Sequence, residues 1–213
     1  MATPDDMKID NLNGIWILNK KHSSNLEGML KIATHINKGQ TDIWEQTQQK
    51  INWILRKAMS LTDIRLETST SHAPVLQGNK PTVTINSVLT PTIGNLASTS
   101  ENRTLDWAAY HHSDYFFGGV THRSCFVRGS SGTGDASPIR PEFELQIQPL
   151  HACLKRFLSG EIFLDNEDVT STTDGFLVEE PSLDHEAGEG LWVHTHEKSV
   201  TSNWEAEQIW GLK

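Results

Sequence analysis

The sequence predicts a mainly β protein, an antiparallel sandwich or closed barrel with a short helical insert after its first strand. Three observations predict it. Short stretches of alternating apolar and polar residues recur from about Ser60 onward, turn-forming residues separate them, and helical spacing of apolar residues is concentrated in 24–59. The run from Gly14 to Lys20 (GIWILNK) reads as the first strand. Ser24 or Asn25 then caps a helix carrying Leu26, Met29, Leu30 and Ala33. Thr41 or Asp42 caps a second, carrying Ile43, Trp44, Thr47, Ile51, Ile54, Leu55 and Ala58. Ile64-Leu66-Thr68-Thr70, Val83-Ile85, Asn102 to Trp107, Val120 to Val127 and Phe143-Leu145-Ile147 follow as strands. Cys153 to Leu158 reads as a short helix. A last pair, Leu191 to Ser199 and Trp204 to Leu212, is joined by a turn at 200–203.

At 213 residues the chain is long enough for one domain with a real core. We expect a loose tail at 1–10 and a single domain over 11–213, with 24–59 as a helical lid. The tract 129–141, rich in Gly, Ser and Pro, and the acidic tract 161–190 are expected as loops, the latter around a short strand at 175–178. No run of about 18 apolar residues marks a membrane-spanning helix. The polar, acidic start speaks against a secretory signal, and two cysteines do not make a disulfide scaffold. A cytoplasmic protein, monomeric or homodimeric, is the expectation. The net charge of −9 is concentrated: residues 161–190 hold ten acids and no Lys or Arg, leaving 17 acids against 18 bases elsewhere. With no basic patch, phosphate-driven nucleic-acid binding and attachment to an anionic membrane are disfavoured.

The sequence carries no Gly-rich phosphate loop, no G-x-S-x-G elbow, no H-E-x-x-H and no C-x-x-C. His194 and His196 lie two apart on one strand and share a face. They suit a metal site completed by His122, His112 or a carboxylate, although no carboxylate sits at a telling spacing; the plainer reading is two strand histidines. His111-His112 beside Asp114 suits an acid–base pair, but a turn rich in short polar residues is the simpler expectation. The tryptophans say more: there are seven, against two tyrosines. By strand parity, Trp192, His194 and His196 share one face, Trp204, Ala206, Gln208 and Trp210 another, and Arg103, Leu105 and Trp107 a third. In a barrel these faces converge on one interior. Any single Trp is explained by core filling. The set, with Trp16 on the first strand and Trp53 in the helical segment, reads as the wall of a cavity for a large apolar ligand.

The G-x-W of the first strand and the blocks NLNGIWILNK, NWILRKAMSLTDIRL, TSENRTLDW, FFGGVTHRSCFV and NWEAEQIWGL resemble the fungal lipocalin-like pericyclase (Diels–Alderase) family of the pyrrocidine pathway. The similarity is patchy and runs from about residue 11 to 212, with TLDW and AEQIWG its most specific parts. The resemblance implies a calycin-type β-barrel around an apolar cavity. It implies an intramolecular [4+2] ring closure of a linear polyene, a polyketide–amino acid hybrid, without a cofactor. The stretches 26–50 and 129–175 are longer than the family pattern suggests. The chain also stops directly after the IWG block, where a further strand is expected, so barrel closure is expected to be unusual.

A cycloaddition requires no nucleophile and no cofactor, so the lack of catalytic motifs fits it. Its barrier is largely that of folding a floppy chain into a reactive conformer, which a shaped interior supplies. A polar donor aimed at the carbonyl that activates the dienophile adds to this in a dry site. Gln208, His194, Arg103 and His112 are the candidate donors. Trp16, Trp53, Leu105, Trp107, Trp192, Trp204 and Trp210 are the candidate walls. A carrier of a hydrophobic metabolite and a His-ligated metal-dependent isomerase are the competing expectations.

Overall fold

Period-two alternation is resolved into two four-stranded antiparallel sheets in a computed structural model that describes residues 7–17, 64–73, 82–91, 98–114, 118–129, 139–147, 152–161, 190–201 and 205–211. The first sheet is built from β1 (Gly14–Ile17), β2 (Ile64–His72), β3 (Val83–Pro91) and β4 (Thr99–Thr104). The second is built from β5 (Tyr110–Asp114), β6 (Gly118–Gly129), β7 (Gly190–Ser199) and β8 (Glu205–Trp210). In each sheet the strands lie in sequence order, every neighbour antiparallel. The mainly β class and the antiparallel meander are therefore as the sequence predicts, but the described strands form two sheets rather than one closed barrel. The late pair falls where expected, as β7 and β8, and α1 (Ala152–Leu158) matches the short helix. The helical lid 24–59 with Trp53, the strand at 175–178 and Trp204 lie outside the described residues.

The chain crosses from one sheet to the other at a corner after β4. Asp106 Oδ1 accepts from the Ala108 amide at 2.9 Å, a local turn that an aspartate makes with its own backbone. Trp107 takes a left-handed φ of 62° and donates its amide to the Ser124 carbonyl at 2.8 Å. This φ is costly for a bulky residue, so surrounding contacts must hold it. Asp106 Oδ2 also accepts from the Tyr110 hydroxyl at 2.8 Å, tying the corner to β5, and this bond raises the tyrosine pKa. His111-His112-Ser113-Asp114, expected as a turn, is strand β5, paired with Gly118–Thr121.

Between the sheets, Ile9, Leu12, Ile85 and Val193 form an apolar cluster, with Trp16, Leu105, Phe126, Leu191 and Trp210 packed against it. The expected tail 1–10 is thus too long. Ile9 is core, and the Asn11 amide closes a turn on the Lys8 carbonyl at 3.0 Å. Trp16 points inward and donates Nε1 to Thr68 Oγ1 at 2.8 Å, while its neighbours Ile15 and Ile17 face outward and are exposed.

The second sheet is covered on its outer face as well. Phe143, Leu145, Leu154 and Leu158 form a second cluster against Val127, Phe157 and Ile209. Leu154 and Leu158, one helical turn apart, give α1 its buried face. Phe143, Leu145 and Ile147 keep the alternation predicted for a strand, yet 139–147 pairs with no strand among the described residues. It is an extended strap, joined to β6 by the Glu142 amide donating to the Arg128 carbonyl at 2.9 Å. The strap crosses β6 at Gly129, where an added Cβ would lie 1.8 Å from the Arg140 carbonyl oxygen and 2.9 Å from Trp192 Cζ3. Backbone cannot move aside as a side chain does. Gly129→Ala is expected to destabilise the fold by about 1–3 kcal/mol, read as the shift in urea midpoint.

Candidate functional site

Period-two geometry puts Glu101, Arg103 and Leu105 on one side of β4, with Ser87 opposite Glu101 and Ile85 opposite Arg103 on β3. From the second sheet, His122 of β6 and Glu197 of β7 are register partners and face back across the interior. Arg103 joins the two sheets. Its Nη2 donates to Glu101 Oε2 at 2.8 Å and also to Glu197 Oε1. The guanidinium carbon lies 5.6 Å from the Trp210 ring centroid, within cation–π range. Desolvation acts to lower the Arg103 pKa, but the two carboxylates outweigh it and raise the value, so the group is a permanent cation. His122 Nδ1 stands 3.3 Å from Glu101 Oε1, and its ring stacks on Tyr110 at 6.0 Å. Four atoms in this interior, Arg103 Nη1, Ser87 Oγ and both ring nitrogens of His122, are shut off from solvent and find no hydrogen-bond partner among the described residues. Unpartnered buried donors and acceptors are costly, so a cluster of them at one place calls for an explanation.

A second polar group lies on the outer face of the second sheet, beneath the strap. The Glu207 side chain is fully buried. Its oxygens accept from the amides of Gln146 (3.0 and 3.1 Å) and Ile147 (3.2 Å) and from His194 Nε2 at 2.7 Å. The His194 ring lies between Trp107 at 4.8 Å and Phe143 at 5.0 Å. His196 shares this face, with its Nε2 3.9 Å from Glu205 Oε2.

Five of the predicted site residues meet in the interior: Arg103, Leu105, Trp16, Trp210 and Gln208, whose Oε1 accepts from Trp210 Nε1 at 2.8 Å. His112 is half-buried on the Tyr110 side of β5, near enough to His122 to act on it electrostatically. Three others do not join them. Trp192 and His194 sit on the opposite face of β7 from Val193, and Trp107 has left the β4 alternation at its left-handed corner to stack on His194. The expected convergence of all three faces is thereby corrected. β7 is buried at four successive residues, Trp192 to Thr195, because the strap covers its back. Parity alone does not say which of two buried faces is the interior. His122 belongs to the interior and so lies across the sheet from His194 and His196. Among the described residues no group of three or more His, Cys, Asp or Glu side chains is placed to hold a metal ion.

Sequence reasoning missed Glu101, Glu197 and Glu207. The signal for Glu207 was present. Glu205-x-Glu207 opposes His196-x-Lys198 once the β7–β8 hairpin is drawn in register, which sets Glu207 on the diagonal to His194.

Burial depresses the pKa of both His122 and His196, against the opposing pull of nearby carboxylates. A histidine whose folded pKa lies below its unfolded value binds protons more readily in the unfolded chain. Its stabilising effect is whole above about pH 6.5 and is lost as the pH falls towards the folded value. The urea midpoint is therefore expected to drop between pH 7.5 and 5.5, and to drop less steeply in His122→Asn. Equal slopes in the two proteins would remove His122 from this role.

No protein-family model, no curated protein and no solved structure matches this chain.

Proposed function

We propose that the space between the two sheets binds a linear polyene of the polyketide–amino acid hybrid class and accelerates its intramolecular [4+2] cyclisation without a cofactor. The observation that carries this reading is Arg103, a buried permanent cation over the Trp210 face with one guanidinium nitrogen, Nη1, unpartnered among the described residues. A donor of this kind suits a carbonyl conjugated to the dienophile. Hydrogen bonding there withdraws electron density from the alkene and stabilises the charge that builds on the oxygen in the transition state. Two C–C σ bonds form at the expense of two π bonds, and no proton or electron leaves the substrate. Trp16, Leu105 and Trp210, packed on the apolar cluster, supply flat surface against which a folded polyene is held in its reactive conformer. The fungal lipocalin-like resemblance of the NLNGIWILNK, TSENRTLDW and NWEAEQIWGL blocks supports the same reading.

The test is turnover of a synthetic linear polyene precursor followed by chromatography. The expected result is faster cyclisation with one stereoisomer enriched over the spontaneous mixture. A rate and product ratio equal to the protein-free control would overturn the proposal. Precursor binding without acceleration would assign the interior to a carrier instead.

A further inference from the structure

We infer that residues 7–13 are a displaceable hook that occupies the ligand's own place in the interior, so that the ligand enters by expelling it; this rests on the interior being a ligand site, as proposed above. The hook joins neither sheet. Its Lys8 and Asn11 bridge to each other, and its anchors, Ile9 and Leu12, are buried in the apolar cluster between the sheets. Trp16, Leu105 and Trp210 pack against that same cluster. These are the surfaces assigned above to the ligand, and in a close-packed interior two apolar bodies cannot cover one surface at once.

The polar attachment of the hook is slight. The Leu12 amide donates to Thr70 Oγ1 at 3.1 Å, the Leu12 carbonyl accepts from Thr68 Oγ1, and Asn13 Oδ1 accepts from the Thr70 amide. All three bonds run to one short stretch of β2, two of them through side-chain hydroxyls instead of a strand ladder. Thr68 Oγ1 also accepts from Trp16 Nε1 at 2.8 Å, so one hydroxyl serves the hook and a ligand wall together. A site closed by its own chain binds with an affinity lowered by the fraction of molecules in which it is closed. A ligand that binds only the open form shifts the population towards it. Weakening a hook bond therefore tightens ligand binding, the opposite of what loss of a merely structural contact does. Residues 7–13 thus set the concentration at which the interior fills.

The test uses all-trans-retinol, an uncharged polyene whose own fluorescence rises in apolar surroundings. Hydrogen–deuterium exchange over residues 7–13, where the Asn11 and Leu12 amides are bonded, is expected to speed up at least about fivefold in the unaltered protein at saturating retinol. Thr70→Val removes the acceptor of the Leu12 amide, and Asn13→Ala removes that of the Thr70 amide from an exposed position. Neither residue belongs to the proposed walls. Each variant is expected to bind retinol about two- to tenfold tighter, the fold-change that one hydrogen bond confers. Retinol bound to the unaltered protein with exchange unchanged or slowed overturns the inference, as does an equal or weaker affinity in either variant. Retinol that binds none of the three proteins overturns it too. Its failure is separable from that of the cyclase reading. Precursor turnover with exchange over 7–13 unchanged sinks only the hook; release of the hook by retinol without precursor turnover sinks only the cyclase.

Discussion

Glu207→Ala is expected to lower stability by about 3–5 kcal/mol, a large share of the margin of an ordinary domain. The carboxylate is the common acceptor for two strap amides and for His194, all in a place water does not reach. Truncation leaves three buried donors without a partner, and each carries its own desolvation penalty. Glu207→Gln keeps one acceptor oxygen and should recover roughly half of the loss. Urea unfolding of the two variants measures the difference, and limited proteolysis within 139–147 locates it. An alanine variant with an unchanged midpoint and an uncut strap would mean that the apolar contacts of Phe143 and Leu145 hold the strap by themselves.

Arg103 offers the second large effect, and two substitutions separate its roles. Arg103→Leu strands Glu101 and Glu197 in the interior and should cost about 3–5 kcal/mol, as removal of one partner from a buried ion pair does. Arg103→Lys keeps the cation between the carboxylates and should fold, but a single ammonium lacks the second fork that carries Nη1. If Nη1 is the donor to the dienophile carbonyl, the lysine variant loses about 10²–10³ in kcat, the usual scale for one preorganised donor, with little change in KM. A lysine variant that turns over at the unaltered rate would move the donor to another residue.

Most of the sheet architecture was legible in the sequence, because strands with one wet face announce themselves. β2 alternates Leu66, Thr68 and Thr70 with exposed residues, and β3 alternates the buried Val83, Ile85 and Ser87 with the half-buried Thr84 and Asn86 and the exposed Val88. The interior half of the site was legible for the same reason: Arg103 with Leu105, and Gln208 with Trp210, follow period two on strands that keep it. What was hidden were the places where period two stops carrying information. On β7 both faces are buried, so Trp192 and His194 look no more outward than Val193 and Thr195. At Trp107 a single left-handed residue redirects the chain, and nothing in TLDWAAY marks a tryptophan as the residue that bears it. The strap reads as a strand because a segment packing one apolar edge onto a sheet needs the same alternation as one hydrogen-bonded into it. The ion pairs were hidden because Glu101 and Glu197 resemble ordinary surface charges until the sheets are stacked.

The two-sided covering of the second sheet has a consequence for how such a protein can diversify. His122, Thr195 and Glu197 share strands with Cys125, Trp192 and His194, so a backbone shift that retunes the interior also disturbs a packed rear layer. Ser87, Glu101 and Leu105 belong to the first sheet and its exit, whose other side, among the described residues, carries the exposed Val88, Ser100 and Asn102. Neutral drift and adaptive change in ligand preference should therefore accumulate on the first sheet, while the second serves as the fixed jaw against which new shapes are tried.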